Sequence, residues 1–116
     1  PMVFIGWLAD YADPHNFVYP YLHSKGDFMS FTGGIGRAFA AREFDALINA
    51  GINETDPQKR IAIYTELQKK SLELAPHLML YDAYDRRAHR DYVKGFTFDP
   101  ICPAQYDIYS LSKSLK

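Results

Sequence analysis

A chain of 116 residues with 47% hydrophobic and 23% charged side chains has the composition of a globular domain, which excludes a disordered or fibrous class and predicts one core. Thirteen Lys and Arg against fourteen Asp and Glu leave a formal charge of -1, so the basic footprint of a phosphate-backbone binder is missing and nucleic acid is not an expected partner. Apolar runs all fall short of the roughly 18 residues a membrane helix needs, and the single Cys102 excludes an intrachain disulfide.

The chain opens on "PMVFIGW", which reads as a β-strand over Val3 to Leu8 without a preceding cap, turn or leader, as if entered in the middle of a larger protein; a fragment is expected. Asp13-Pro14 closes that strand. In "HNFVYPYL", Pro20 interrupts any regular helix, so a short helical turn or irregular loop is expected over His15 to Leu22. The glycine-rich stretch "SKGDFMSFTGGIGR" is read as a mobile or tightly turned connection. Its Gly33-Gly34-Ile35-Gly36 lacks the Gly-Lys-Ser/Thr ending of a P-loop and the third glycine of a dinucleotide fingerprint.

Ala40 to Ala50 carry Phe44, Leu47 and Ile48 at helical spacing, with Gly51 as the stop. A second helix begins at "TDPQ", where Thr55 or Asp56 caps, Pro57 takes the first turn and Gln58 could complete a capping box with Thr55. Ile63, Tyr64, Leu67, Ser71 and Leu74 mark its buried face, and it ends near Ala75-Pro76. "HLMLYDAY" and "DYVKGFTF" are strand candidates, with a bend or bulge at Gly95. Between them "DRRAHR" reads as a solvated, self-neutralising edge with Asp82 and Asp85. Its functional alternative is a clamp of Arg86 and Arg87 on an anionic group. The tail from Asp99 to Lys116 is punctuated by Pro100, Cys102 and Pro103 and ends in one more short strand or turn. The sum is a single mixed α/β (α+β) domain over 1–116.

Aromatic residues are the one excess, at 16% with nine Tyr; flat rings with polar tips suit cleft linings, interfaces and cores alike. Catalytic materials are thin. Asp13 and His15 suggest at most a metal corner with no second cluster, so no metal, cofactor or enzymatic activity is expected.

The segment "GWLADYADPHNF" resembles the signature of extracytoplasmic solute-binding protein family 5, the oligopeptide- and dipeptide-binding proteins of ABC importers. "EFDALINAG", "DPQKRIAIYTELQKKSLELAPHLMLY", with its Arg and Tyr pair, and "YVKGF" resemble later blocks of that family in the same order. The blocks cover most of 3–98 and leave 99–116 as a tail. This resemblance implies the C-terminal lobe portion of a bilobal fold of the periplasmic-binding-protein type II kind. It also implies a periplasmic or cell-surface location, a peptide ligand, and a membrane permease as partner of the full-length protein.

In peptide-binding members the acidic residue after the Trp-x-x motif contacts the ligand's α-amino group; here the motif falls on Trp7, Leu8 and Ala9, and that residue is Asp10. Trp7 would form a pocket wall, and Tyr11 is a weaker neighbour. A Trp-x-x-Asp pair taken alone is read first as a core ring and a turn-capping carboxylate. An oligosaccharide-binding branch would instead stack Trp7 on a sugar ring. A third reading is an isolated interaction domain with no ligand of its own, whose exposed strand edges would promote oligomers.

Overall fold

The computed structural model describes residues 2–82, 84, 86–99 and 107–114. Its regular structure is a series of helices followed by one small sheet, and the chain divides into two units, one of residues 2–7 and 13–78 and one of residues 8–12 and those from 79 onward.

In the first unit, α1 spans His15–Leu22, a 3-10 turn spans Phe28–Thr32, and α2, α3 and α4 span Gly33–Glu43, Asp45–Asn53 and Pro57–Leu74. The core is built from Leu22 of α1, Phe44 between α2 and α3, Ile48 of α3, and Tyr64 and Leu67 of α4. Val18, Tyr19, Tyr21, Phe39 and Leu47 pack against it. Each helix is too short or too polar to persist in water alone, so this shared apolar face is what holds them.

Proline does not break α1. Pro20 is buried and forfeits one ladder N–H, but the helix ends two residues later. There the Gly26 amide donates to the His23 carbonyl at 2.8 Å. The glycine-rich stretch, read from sequence as a connection, is helical from Phe28 into α2. Ala40, fully buried, gives that helix a contact face which outweighs the poor helix propensity of three glycines.

The expected helix over Ala40 to Ala50 is two helices that break at Phe44, where the backbone leaves helical geometry at φ -121°. Gly51 does not stop α3, which continues to Asn53. Its role is close approach: a Cβ on Gly51 would lie 2.9 Å from the Tyr64 ring. Helix α4 starts as its capping residues predict. Asp56 accepts the Gln58 and Lys59 amides at 2.9 and 3.0 Å with Pro57 in the first turn, so the Gln58 amide goes to Asp56 and not to the expected capping box with Thr55, while Glu54 accepts the Asp56 amide. It ends at Ala75, a left-handed residue at φ 45° whose amide donates to Ser71, ahead of Pro76.

No strand ladder forms over 2–8 or over the described part of 77–84. A strand exists only through a partner's backbone groups, and among the described residues none pairs with these. Their apolar side chains are correspondingly open: Phe4 is 74% exposed and Leu78 84%.

In the second unit β1 (Val93–Lys94) pairs antiparallel with β2 (Ser112–Lys113), in the register Val93 to Lys113 and Lys94 to Ser112. Gly95 follows at φ 83°, against the Ser110 carbonyl, where a side chain would collide. A 3-10 turn over Ile108–Ser110 leads into β2, started by Asp107, whose carboxylate accepts the Tyr109 amide. Asp85, Pro100, Cys102 and Pro103 lie outside the described residues.

Candidate functional site

Trp7 is half-buried in the first unit. Its indole N–H donates to Asn16 Oδ1 at 3.0 Å, and its ring meets Phe28 edge to face at 5.5 Å. Asn16 is itself 5% exposed, so the bond satisfies two polar groups that burial would otherwise leave destabilised. The aromatic row continues from Phe28 to Tyr21 at 4.6 Å and from Tyr21 to His77 at 5.4 Å. Burial raises the Tyr21 phenol and lowers the His77 imidazolium relative to their ordinary values. Part of the Tyr and Phe excess thus forms a wall along α1 and the 3-10 turn.

Asp13, six residues after Trp7, has two partners on one oxygen. Its Oδ1 accepts the His15 amide at 2.8 Å, closing the first turn of α1, and a guanidinium N–H of Arg60 at 2.8 Å. The Arg60 hydrogen bond and charge hold the Asp13 carboxyl below its usual range. Arg60 also donates through Nε to the Gly51 carbonyl at 3.0 Å and reaches the Tyr64 hydroxyl at 3.3 Å, with its guanidinium 5.0 Å from the centre of the Tyr64 ring. One side chain on α4 therefore ties the entry of α1 to the end of α3. A groove of about 450 Å³ opens beside it, lined by Pro14, Thr55, Pro57, Ile61 and Gln68 among others.

Asp10 and Tyr11 are exposed and lie in the second unit, at a bend in residues 8–12. Along the chain this five-residue loop runs from Trp7 to Asp13. Both flanking residues are held on the first unit, by Asn16 and by Arg60. Neither Asn16 nor Arg60 is singled out as a site residue by sequence reasoning. The Arg and Tyr pair of α4 was the available signal for Arg60; Asn16 carries none.

The other polar clusters among the described residues are held in structural contacts. His23 is buried; its Nδ1 accepts the Lys25 amide at 3.0 Å and lies 3.7 Å from Asp45. The Ser24 hydroxyl donates to Asp45 at 2.5 Å, so the serine is hydrogen-bonded to the carboxylate and not to the imidazole, the reverse of a nucleophile and its base. His15 stacks toward Tyr19, and Tyr19 on His23, at 5.0 and 4.4 Å. Nδ1 of His15 and of His77 finds no hydrogen-bond partner among the described residues. No group of three or more His, Cys, Asp or Glu side chains among the described residues could hold a metal ion. In the second unit the Arg87 guanidinium lies over Phe96 at 5.7 Å and His89 stacks on the same ring at 4.5 Å, contacts that occupy part of the arginine run.

No family model matches the chain, and no solved structure matches it. Curated relatives do. The chain is similar to the probable D,D-dipeptide-binding periplasmic protein of Escherichia coli, with 30% identity over 108 residues that make up 92% of this chain and 20% of that protein. It is similar to di/tripeptide-binding protein 4 of Pseudomonas aeruginosa, at 28% over 84% of this chain and 18% of the relative, and to heme-binding protein A of Haemophilus influenzae, at 31% over 83% and 17%. The chain spans about a fifth of the length of the relatives it matches. Dipeptide- and di/tripeptide-binding proteins recur among these relatives, so the chain is similar, over most of its own length, to one part of the solute-binding proteins of family 5.

Proposed function

We propose that this chain forms part of the C-terminal lobe of a peptide-binding protein that serves an ABC importer outside the cytoplasm. Asp10 receives the ligand's α-amino group, Trp7 forms a wall of the pocket and Tyr11 lies beside them. The observation that carries this reading is the pairing of an exposed carboxylate at Asp10 with a loop whose two flanking residues are anchored, in a family whose relatives are named for dipeptides and tripeptides. A carboxylate held in a cleft that excludes water makes a strong charge-assisted hydrogen bond to an ammonium group. A pre-held loop binds without an added ordering penalty. The membrane permease is the partner this reading implies for the full-length protein.

The test is titration calorimetry of the full-length protein with trialanine and with N-acetyl-trialanine. Free-amine peptide should bind tightly, and both acetylation and Asp10→Ala should weaken it. A second reading follows from the likeness to the Haemophilus protein, named for heme; there the aromatic wall at Trp7 and Phe28 would face a porphyrin. A Soret shift on hemin titration, without heat from trialanine, would favour it.

A further inference from the structure

We infer that Arg60 is a positioning residue for the ligand loop, acting on Asp10 through Asp13. This rests on the reading of Asp10 as the ammonium anchor. Asp10 is the central residue of the five between Trp7 and Asp13, so the backbone on each side of it is tethered along the chain at one of those two residues. The departure is fixed by Trp7 on Asn16. The return is fixed by Asp13, whose single oxygen serves both the α1 amide and Arg60.

Arg60 suits this task because two nitrogens of its fork are shared among three partners. Nε is on the Gly51 carbonyl, Nη2 is on Asp13 and near Tyr64, and the plane lies by the Tyr64 ring. Tyr64 is 4% exposed and packs against Gly51, so the base of the fork is core. A lysine carries the same charge but is a single point donor, unable to bridge the Gly51 carbonyl and the Asp13 carboxylate together. Arg60→Lys therefore preserves the charge while releasing the geometry.

The experiment measures, in the full-length protein, the ratio of trialanine to N-acetyl-trialanine affinity for wild type, Arg60→Lys, Asp13→Asn, Asp10→Ala and the Asp10→Ala, Arg60→Lys double variant. Asp13→Asn keeps an oxygen for the His15 amide and removes the ion pair, so it serves if the arginine variant folds poorly. Both single variants should narrow the ratio by about three- to tenfold, the scale of reordering one loop on binding. The double variant should be no worse than Asp10→Ala alone. If Asp10→Ala collapses the ratio while Arg60→Lys and Asp13→Asn leave it intact, Arg60 is a fold residue only and the inference is wrong. If wild type does not distinguish the two peptides, the Asp10 reading itself fails and the inference falls with it.

Discussion

Arg60 and Asp13 stand 47 residues apart in the chain and meet at 2.8 Å, and the same Asp13 oxygen closes the first turn of α1. The pair is partly exposed, with about a quarter of each side chain open to solvent, so its stabilisation belongs with modest ion pairs and not with buried ones.

The pair gives a pH signature. The Asp13 carboxyl is lowered in the folded state, chiefly by the Arg60 hydrogen bond. The unfolded chain therefore takes up the proton first, and the stabilisation is present above the unfolded value, near 3.9, and lost as pH falls through the folded one. Asp13→Asn should lower stability by about 0.5–1 kcal/mol at pH 7. Urea melts of variant and wild type should converge toward pH 2; a gap that persists there would mean that the charge is not the cause.

His15 and His77 act at milder acidity. Burial lowers both imidazoles, so below their ordinary value near 6.5 the unfolded state binds more protons than the folded one. Stability should be full above that value and decline as pH falls from about 6.5 toward the lowered folded values. A His15→Gln, His77→Gln variant should show a flatter melting temperature between pH 7 and pH 5. A slope equal to wild type would clear these two residues.

Core and surface should separate cleanly. Ile48 is fully buried, whereas Ile61 is 59% exposed on α4. Ile48→Ala should cost about 2–4 kcal/mol, and Ile61→Ala should stay within about 0.5 kcal/mol. Comparable losses by denaturant titration would mean that a neighbour covers Ile61.

Ala75 holds a left-handed conformation at φ 45° to end α4. Glycine adopts it without the Cβ clash, so Ala75→Gly should raise stability by about 0.5–1 kcal/mol, and Ala75→Val should lower it. A destabilised glycine variant would show that the side chain contributes a contact larger than the strain.

Much of the first unit was legible in the sequence because its signals are local. Phe44 and Ile48 announce their core face by spacing, and Asp56-Pro57 announces the start of α4 by cap chemistry. What escaped depended on distant partners. Gly51 reads as a stop because the Tyr64 ring that needs its bareness is on another helix. The stretch Gly33-Gly34-Ile35-Gly36 reads as a mobile or tightly turned connection because the docking of Ala40, which holds that helix in place, is tertiary. Val3 to Leu8 reads as a strand by composition, yet a strand needs a neighbour's backbone. Of the candidate site, Asp10, Trp7 and Tyr11 come from resemblance, while Asn16 and the Arg60 contact on Asp13 emerge only with the fold.

The most direct test is the affinity of the full-length protein for trialanine before and after Asp10→Ala, read by titration calorimetry with the melting temperature as a folding control. Loss of one charge-assisted hydrogen bond to the α-amino group should weaken binding about ten- to a hundredfold, with N-acetyl-trialanine unaffected by the substitution. Trialanine binding that survives Asp10→Ala unchanged in a folded protein would contradict the assignment of Asp10 as the ligand's anchor.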